Sequence, residues 1–230
     1  MAEYASLKGM KKNEIKNLTS IAYETIKNSI INNEIKPGDH LSETIIAETL
    51  GMSRTPIREA IKILQSEDLV EVHNGVGIFV KHVTIKDIYE LFEVRAALEC
   101  TALRSAMENI TEGEINHMEE KWMKLKNRAD LGEEIDLDEI AHWDSELHSL
   151  IVRKCNNSYL IDIMSSVKLK VLRFQRMSAK SLGNEKDTIS QHMEILKVMK
   201  ERDINKLSEL LRIHIKKAGE NIANNPDWNY

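Results

Sequence analysis

The sequence is poor in the residues that interrupt helices. It has only three prolines and nine glycines among 230 residues. From residue 82 to residue 224 it shows no strand signal, and it contains no internal repeat or low-complexity tract. This composition predicts a mostly helical chain with few strands.

Long apolar runs are also missing. No uninterrupted stretch reaches the roughly 18 residues that a membrane-spanning helix needs, and the N-terminus has no signal-peptide pattern. Cysteine is scarce as well, since Cys100 and Cys155 are the two in the chain. Both fall in apolar helical patterns, so we interpret them as buried free thiols in a reducing compartment. These absences predict a cytoplasmic protein without a membrane partner.

Positive charge is not in excess. The formal net charge is -5 and the pI is near 5.9. Residues 1–81 hold ten Lys and Arg against eleven Asp and Glu. This balance argues against a protein that coats nucleic acid or an anionic membrane through bulk charge. It leaves room for sequence-specific DNA binding by a small patch of arginines.

A tight turn that leads into a helix occupies residues 51–60. Gly51 interrupts a helical pattern, and Ser53 is placed to cap the next helix by accepting a backbone N–H. Pro56 falls in the first helical turn, where its missing N–H is tolerated. An earlier helix, with Ser42 as its cap, precedes the turn. A short helix, a turn with glycine and a second helix are the pattern of a helix-turn-helix.

The second of these helices carries two arginines. Arg54 and Arg58 are four residues apart and therefore project from one helical face. Arginines in the first two turns are typical of a helix that reads DNA, because arginine pairs bidentately with guanine. Ser42, Ser53 and Thr55 are better placed to bind phosphates from helix N-termini.

A hairpin signal follows this helix. Residues 69–72 and 78–80 are short β-prone runs, and the Asn74-Gly75 pair between them is a strong signal for a hairpin turn. Helices followed by such a hairpin indicate a winged helix-turn-helix. The wing tip at Asn74 and Gly75 would then lie near the minor groove of bound DNA.

The domain boundaries follow from these patterns. We predict a flexible tail over residues 1–16, a winged helix-turn-helix over 17–81, a linker over 82–84, an all-helical domain over 85–223 and a second tail over 224–230. Apolar periodicity in the helical domain predicts helices at about 85–108, 112–130, 138–154, 158–178, 185–201 and 204–223. The predicted fold class is mainly α: a winged helix-turn-helix followed by an antiparallel bundle of six or so helices.

Four residues of the helical domain have metal-ligating side chains. Asp144 and His148 lie at i and i+4 of one helix, and His192 and His214 lie within the apolar stripes of two later helices. A carboxylate and three imidazoles that converge inside a bundle would suit Zn²⁺, Ni²⁺ or Mn²⁺. The spacing alone also fits ordinary buried core histidines.

Arg95 lies near the buried face of the first bundle helix, three residues after Phe92. A buried guanidinium requires an anionic partner. Either Glu99, four residues on, or a bound carboxylate ligand could supply it. Arg173, in the middle of a later helix, has a weaker case, and we expect it to form a surface salt bridge.

The whole chain resembles the GntR superfamily of transcriptional regulators, in the FadR-like form that carries an FCD effector domain. The resemblance covers about residues 17–223. In the first half it rests on residues 37–43 (PGDHLSE), 51–60 (GMSRTPIREA) and 75–80 (GVGIFV), and in the second on 94–99 (VRAALE), 144–148 (DSELH), 191–192 (QH) and 213–214 (IH).

This resemblance implies a mechanism. In the metal-binding branch of the family an aspartate and three histidines, here Asp144, His148, His192 and His214, hold a divalent metal, and a small carboxylate or hydroxy acid binds at or near it. Arg95 matches a family arginine associated with the effector pocket. The family also implies a homodimer on a palindromic operator of double-stranded DNA. Our own hypothesis for the control step is that the ligand relieves repression.

Two other functions stay open from the sequence. The metal itself could be the signal, or a metal with open coordination positions could activate water, as in a metalloenzyme. No separate general base is convincingly placed beside the four candidate ligands, because Glu146 points away from Asp144 on their helix. We therefore expect a regulator and not an enzyme.

Overall fold

The structure is a computed structural model that describes residues 3–177 and 184–224. The chain divides into two compact units, with the division between Val83 and Thr84. The residues predicted as a linker, 82–84, span this division. Each unit is described separately below.

The first unit begins with a long helix, α1 (Glu3–Ile31). Asn33 follows it with a left-handed φ of 58°, a conformation that ends helices and that the position after the apolar stripe predicts. The stripe itself begins near Asn17, whereas α1 begins at Glu3. Residues 3–16 are therefore helical in backbone, which differs from the irregular tail that we expected. Their many Ala, Leu, Met, Lys and Glu residues favour helix without any periodic apolar stripe.

The helix-turn-helix consists of α2 (Glu43–Leu50) and α3 (Arg54–Ser66). The Ser42 hydroxyl caps α2 by accepting the Ile45 N–H at 3.4 Å, as predicted. Ser53 precedes α3 but forms no such bond, so its predicted capping role is wrong. A capping oxygen bonds the N–H of the second or third helical residue. The third residue of α3 is Pro56, which has none to donate.

Two strands form the wing, β1 (Val70–His73) and β2 (Gly77–Val80). They pair antiparallel, with Val70 opposite Val80. Gly75 has a φ of 76° in the connecting turn, a left-handed conformation that glycine adopts easily. A Cβ at Gly77 would lie 2.6 Å from the His40 ring. The wing therefore requires glycine at both positions.

The second unit is helical throughout its described residues, and its helix bounds agree with the predicted ones to within one residue. The helices are α4 (Ile85–Asn109), α5 (Glu112–Asp130), α6 (Leu137–Lys154), α7 (Ser158–Met177), α8 (Glu185–Glu201) and α9 (Ile204–Ala223). The predicted helix end at residue 178 and the predicted tail over 225–230 lie outside the described residues. The predicted fold class, mainly α with a winged helix-turn-helix before a helical bundle, is confirmed.

Helix α4 is the centre of the bundle, packing against α6, α7 and α9, while α5 packs against α8. Gly219 on α9 allows a close approach to α4, because a Cβ there would lie 2.9 Å from the Phe92 ring. Within the described ranges, no helix has both the length and the apolar character needed to cross a bilayer.

Candidate metal centre and DNA-reading helix

Helices α6, α8 and α9 bring an aspartate and three histidines together inside the bundle. One potential ligand atom from each of Asp144, His148, His192 and His214 lies within 4.8 Å of the others. All four residues are buried. The structure thus collects at one point the four residues that the sequence singled out.

One carboxylate oxygen lies at the middle of the cluster. Oδ1 of Asp144 is 3.1 Å from Nε2 of His192, 3.3 Å from Nε2 of His214 and 3.6 Å from Nε2 of His148. The Nε2 atoms of His148 and His214 are 3.2 Å apart. Ligands placed tetrahedrally about 2.0–2.1 Å from one zinc ion are roughly 3.3 Å from each other. Four of the six distances among the donor atoms are therefore close to the spacing of a first coordination shell, and all six lie within 4.8 Å.

Outer oxygen atoms fix the orientation of each imidazole. Nδ1 of His192 bonds the Thr188 carbonyl oxygen at 2.8 Å, and Nδ1 of His214 bonds Oε1 of Gln191 at 3.1 Å. Nδ1 of His148 contacts Oε2 of Glu99. A ring that donates its Nδ1–H to oxygen leaves the Nε2 lone pair available for a metal. In this cluster all three Nε2 atoms face the same carboxylate oxygen.

Electrostatics keeps the central carboxylate ionised. Burial acts to raise the pKa of Asp144, but the charge of His148 and hydrogen bonds from the three histidines hold that pKa well below its usual range. Burial and repulsion from His192 lower the pKa of His214 to about 4. The His214 ring is therefore neutral near pH 7, the form that binds metal.

His148 is shifted in the opposite direction. Burial acts to lower its pKa, whereas the carboxylates of Glu99 and Asp144 raise that pKa above its ordinary value. Without a cation, a proton on His148 thus balances part of the buried negative charge. A metal ion would supply that positive charge itself and release the proton.

Arg95 lies beside this cluster and is bound by Glu99. Nε of Arg95 donates to Oε1 of Glu99 at 2.7 Å, and the two residues are only 5% and 0% exposed. The sequence named Glu99 as a possible partner of Arg95. It did not indicate the second contact of Glu99 with His148, because that contact depends on how α4 packs against α6.

A cavity of about 240 Å³ adjoins the cluster. Six residues with charged or titratable side chains line it: Arg95, Glu99, Asp144, His148, Arg153 and Lys168. Apolar side chains from α6 and α7 also line it, among them Val152, Met164 and Val171. A cavity with a charged group and an apolar wall is suited to a small amphipathic acid.

Two buried side chains near the bundle core were not foreseen. Trp122 stacks on the ring of His192, with centroids 3.8 Å apart and an angle of 10° between the planes. Arg173 is 3% exposed, so the surface position that we expected for it is wrong. Its neighbours Val171 and Phe174 are buried too, because this part of α7 packs into the bundle. The helical stripe predicts that Trp122 is buried but not which ring it meets.

In the first unit, the structure places both candidate base-reading arginines on the exposed face of α3. The side chains of Arg54 and Arg58 are 54% and 57% exposed. Oε2 of Glu43 accepts from Nη2 of Arg54 at 2.9 Å and from Nε of Arg58 at 2.8 Å. Burial raises the pKa of Glu43, but these hydrogen bonds outweigh it and hold that pKa below its usual range. The pairing of Glu43 with these arginines was not indicated by any sequence pattern, since it depends on the angle between α2 and α3.

The other candidate DNA contacts lie at element ends. Ser42 and Ser53 precede α2 and α3, and Thr55 is exposed in the first turn of α3. Asn74 and Gly75 are exposed in the turn between the strands. Helix starts and a hairpin tip are the positions from which winged helix-turn-helix proteins contact DNA.

Comparisons with known proteins agree with this architecture. Residues 18–80 match the bacterial regulatory proteins of the gntR family, and residues 90–217, more than half of the chain, match the FCD domain. The solved structure of McbR/YncC from E. coli has the same fold, with a TM-score of 0.67 at 23% identity, covering 87% of this chain and 94% of that one.

Two curated relatives are repressors. The gluconate operon transcriptional repressor of Bacillus licheniformis is 31% identical over 185 residues, covering 76% of this chain and 72% of the relative. The HTH-type transcriptional repressor RspR of Escherichia coli is 24% identical over 210 residues, covering 90% and 91%. These names describe regulators, in agreement with the prediction that the chain is not an enzyme. With a gntR-type domain, an FCD domain and relatives of this kind, the chain belongs to the GntR family of bacterial transcriptional regulators.

Proposed function

We propose that this DNA-binding regulator is a repressor whose operator affinity is set by a small organic acid bound beside a divalent metal ion in the FCD domain. The observation that carries the proposal is the convergence of three Nε2 atoms on Oδ1 of Asp144. Three imidazole nitrogens and a carboxylate oxygen that crowd together in a buried site can share one partner, and a cation is the partner that suits all four.

The metal would be held by Asp144, His148, His192 and His214. Three imidazole nitrogens and one carboxylate oxygen suit Zn²⁺, Ni²⁺ or Mn²⁺. When bound, the ion would supply a Lewis-acidic anchor for a ligand oxygen. Glu99, Thr188 and Gln191 would keep the rings oriented, whether or not the ion is present.

The acid would occupy the cavity beside the cluster. Arg95 lines that cavity and already has one N–H bonded to Glu99, which leaves other donors of the guanidinium for a ligand carboxylate. The apolar residues of α6 and α7 would exclude water and strengthen that ion pair. We therefore propose a carboxylate or hydroxy acid of a few carbon atoms as the effector.

Control requires that the acid bind the DNA-competent and DNA-incompetent arrangements with different affinity. Arg95 and Glu99 lie on α4, and α4 follows the wing strand β2 in sequence after only residues 81–84. A ligand that shifts α4 would thus act on a short covalent connection to the DNA-binding domain. We propose that ligand binding relieves repression.

On DNA, the protein would act as a homodimer on a palindromic operator, with two copies of α3 about one helical turn apart. Arg54 and Arg58 would read bases, and Ser42, Ser53 and Thr55 would bind phosphates. The wing tip at Asn74 and Gly75 would approach the minor groove. All of these residues are exposed except Ser42, which is half-buried just before α2, and this exposure supports the proposed roles.

The test combines native mass spectrometry with gel shifts on a duplex selected by the protein from random DNA. Protein stripped by chelator would be reloaded with Zn²⁺, Ni²⁺ or Mn²⁺ and titrated with citrate or with gluconate, the latter because one relative represses a gluconate operon. We expect release of the duplex only when metal and an acid are both present. Release by metal alone would identify the metal as the signal.

Two histidine variants supply the matched comparison. His192→Ala should lose both bound metal and acid response, whereas His117→Ala, which changes an exposed histidine on α5, should behave as wild type. Full metal content and a full ligand response in His192→Ala would contradict the proposed site.

A further inference from the structure

A single carboxylate oxygen holds both candidate base-reading arginines. Oε2 of Glu43, at the start of α2, accepts from Arg54 and Arg58, in the first two turns of α3. The Glu43 side chain is only 19% exposed, although both arginine side chains are more than half exposed. The contact therefore connects the two helices of the helix-turn-helix on the side that faces solvent.

Stability does not explain this arrangement well. Ion pairs between exposed side chains contribute little to folding, because water screens them and ordering the long chains costs entropy. The same ordering helps binding, since an arginine already held in one rotamer loses less entropy when it meets DNA. A carboxylate that holds two long arginine side chains in place is thus better explained by DNA recognition than by folding stability.

The bonds to Glu43 leave other guanidinium N–H groups of both arginines available for contacts with bases. Arg58 is held through Nε, so this bond does not occupy the fork formed by its two Nη atoms. That fork matches O6 and N7 of guanine in the major groove. Arg54 is held through Nη2, which leaves its Nη1 outside the bond. Glu43 therefore supports both guanidinium groups without competing for the whole of either.

The negative charge of Glu43 also weakens binding to DNA of the wrong sequence. The first 81 residues have no excess of positive charge, so attraction to the DNA backbone depends on a few local cations. A carboxylate beside two of these weakens their attraction to phosphates at any sequence. At the correct base pairs the oriented forks compensate for that loss, and discrimination between sequences increases.

We propose that Glu43 is a positioning residue that sets the base specificity of Arg54 and Arg58. The inference rests on the proposed reading of bases by these two arginines. It assigns to α2 a part in sequence recognition that does not require Glu43 to touch DNA.

The test compares Glu43→Gln with Glu59→Gln in the full-length protein. Glu59 is exposed on α3 and pairs with Lys62 at 2.8 Å, so its variant removes the same charge without releasing either arginine. Dissociation constants would be measured by fluorescence anisotropy for the duplex selected by the wild type and for a scrambled duplex. The decisive quantity is the ratio of the two constants.

For Glu59→Gln, we expect both affinities to rise by a similar factor and the ratio to stay unchanged. For Glu43→Gln, binding to the scrambled duplex should tighten, while the ratio should fall about tenfold, the value of one good bidentate base contact. Glu43→Asp keeps the charge but shortens the reach, and its ratio should fall as well. An unchanged ratio in either Glu43 variant would overturn the positioning role.

Arg54→Ala and Arg58→Ala separate the two ideas. If they relax base preference and Glu43→Gln does not, positioning by Glu43 is wrong while base reading stands. If neither arginine variant changes the preferred sequence, base reading itself is wrong, and the role of Glu43 falls with it.

Discussion

At the scale of single residues, Glu99 connects the two parts of the proposed effector site. Its carboxylate, fully buried on α4, contacts both Arg95 and His148. Burial acts to raise the pKa of Glu99, but the charges of His148 and Arg95 lower that pKa to about 2. One side chain therefore compensates a buried guanidinium and orients a candidate metal ligand.

Glu99→Gln should weaken both roles. Removing one partner of a buried ion pair leaves the other uncompensated, so we expect destabilisation of about 3 kcal/mol. Loss of the carboxylate behind His148 should lower metal affinity roughly 10- to 100-fold. Chemical denaturation and metal titration would measure the two effects. Glu93→Gln, exposed on the same helix, is the control, and equal behaviour of the two variants would contradict the role of Glu99.

Arg58→Ala tests whether Arg58 reads a base of the operator. If Arg58 pairs with a guanine, the variant should lose about 1–3 kcal/mol of operator binding and accept other bases at one position. Lys62→Ala, one turn further along α3, should leave the base preference as it is. Gel-shift titrations on single-base operator variants would measure this, and an unchanged operator affinity for Arg58→Ala would rule out the assignment.

At the scale of helices and turns, local signals were predictable and angles between helices were not. The capping boxes of Thr84 with Asp87 and of Thr111 with Glu114 are such local signals, because all their atoms lie within one turn. Ser53 forms no capping bond, and Pro56, which is visible in the sequence, removes one of the two N–H groups that a cap can bind. The pairing of Glu43 with two arginines needs the angle between α2 and α3, which no local pattern encodes.

The metal cluster was predictable in part, because it depends both on local spacing and on how helices pack. Asp144 and His148 share a face because they are four residues apart on α6. His192 and His214 could be placed only in apolar stripes, and apolar stripes fix which face is buried but not which side chains meet. The family resemblance, and not the periodicity, indicated that His192 and His214 meet Asp144 and His148. The start of α1 at Glu3 was missed for the opposite reason, because helix propensity without periodicity is a weak signal.

The Glu114 carboxylate, which pairs with Lys154 and belongs to the capping box of α5, should contribute to the pH dependence of stability. Hydrogen bonds from Lys154 and from Thr111 lower the pKa of Glu114 from 4.5 to about 2. Its stabilising effect is therefore complete above the unfolded-state pKa and is lost as the pH falls from there toward the folded-state value.

Glu114→Gln should accordingly lower stability by about 0.5–1 kcal/mol near neutral pH, and its difference from wild type should narrow below about pH 4.5. Thermal melts followed by circular dichroism across this range would measure it. Glu112→Gln removes a charge from the same turn but not from the capping box, so it should show a smaller effect. A difference for Glu114→Gln that does not vary with pH would contradict the assignment.

Two glycine substitutions should change the stability of the helical unit in opposite directions. Gly219→Ala places a methyl group 2.9 Å from the Phe92 ring, so α9 and α4 must separate and stability should fall by about 1–3 kcal/mol. Gly113→Ala, in the first turn of α5, meets only the Thr111 hydroxyl at 3.9 Å and should add up to about 1 kcal/mol. Urea unfolding would measure both, and a neutral Gly219→Ala would contradict the tight packing.

At the scale of the whole molecule, the division into two units predicts a selective response to metal. Ligands stabilise the folded unit that binds them, by about 2.7 kcal/mol at a concentration one hundred times the dissociation constant. Calorimetry with Zn²⁺ and then with chelator should therefore move the transition of the helical unit upward and back. The same scan of His192→Ala should not respond. A wild-type transition that ignores both additions would contradict metal binding.

The stacking of Trp122 on His192 has an optical consequence. The chain has three tryptophans, so replacing Trp143 and Trp228 with phenylalanine would leave Trp122 as the single indole emitter, in ring contact with a candidate ligand. Open-shell ions such as Ni²⁺ and Mn²⁺ quench nearby fluorescence, whereas Zn²⁺, with a filled d shell, does not. The emission intensity and lifetime of this one indole would then separate Zn²⁺ from Ni²⁺ and Mn²⁺, which the donor set alone does not.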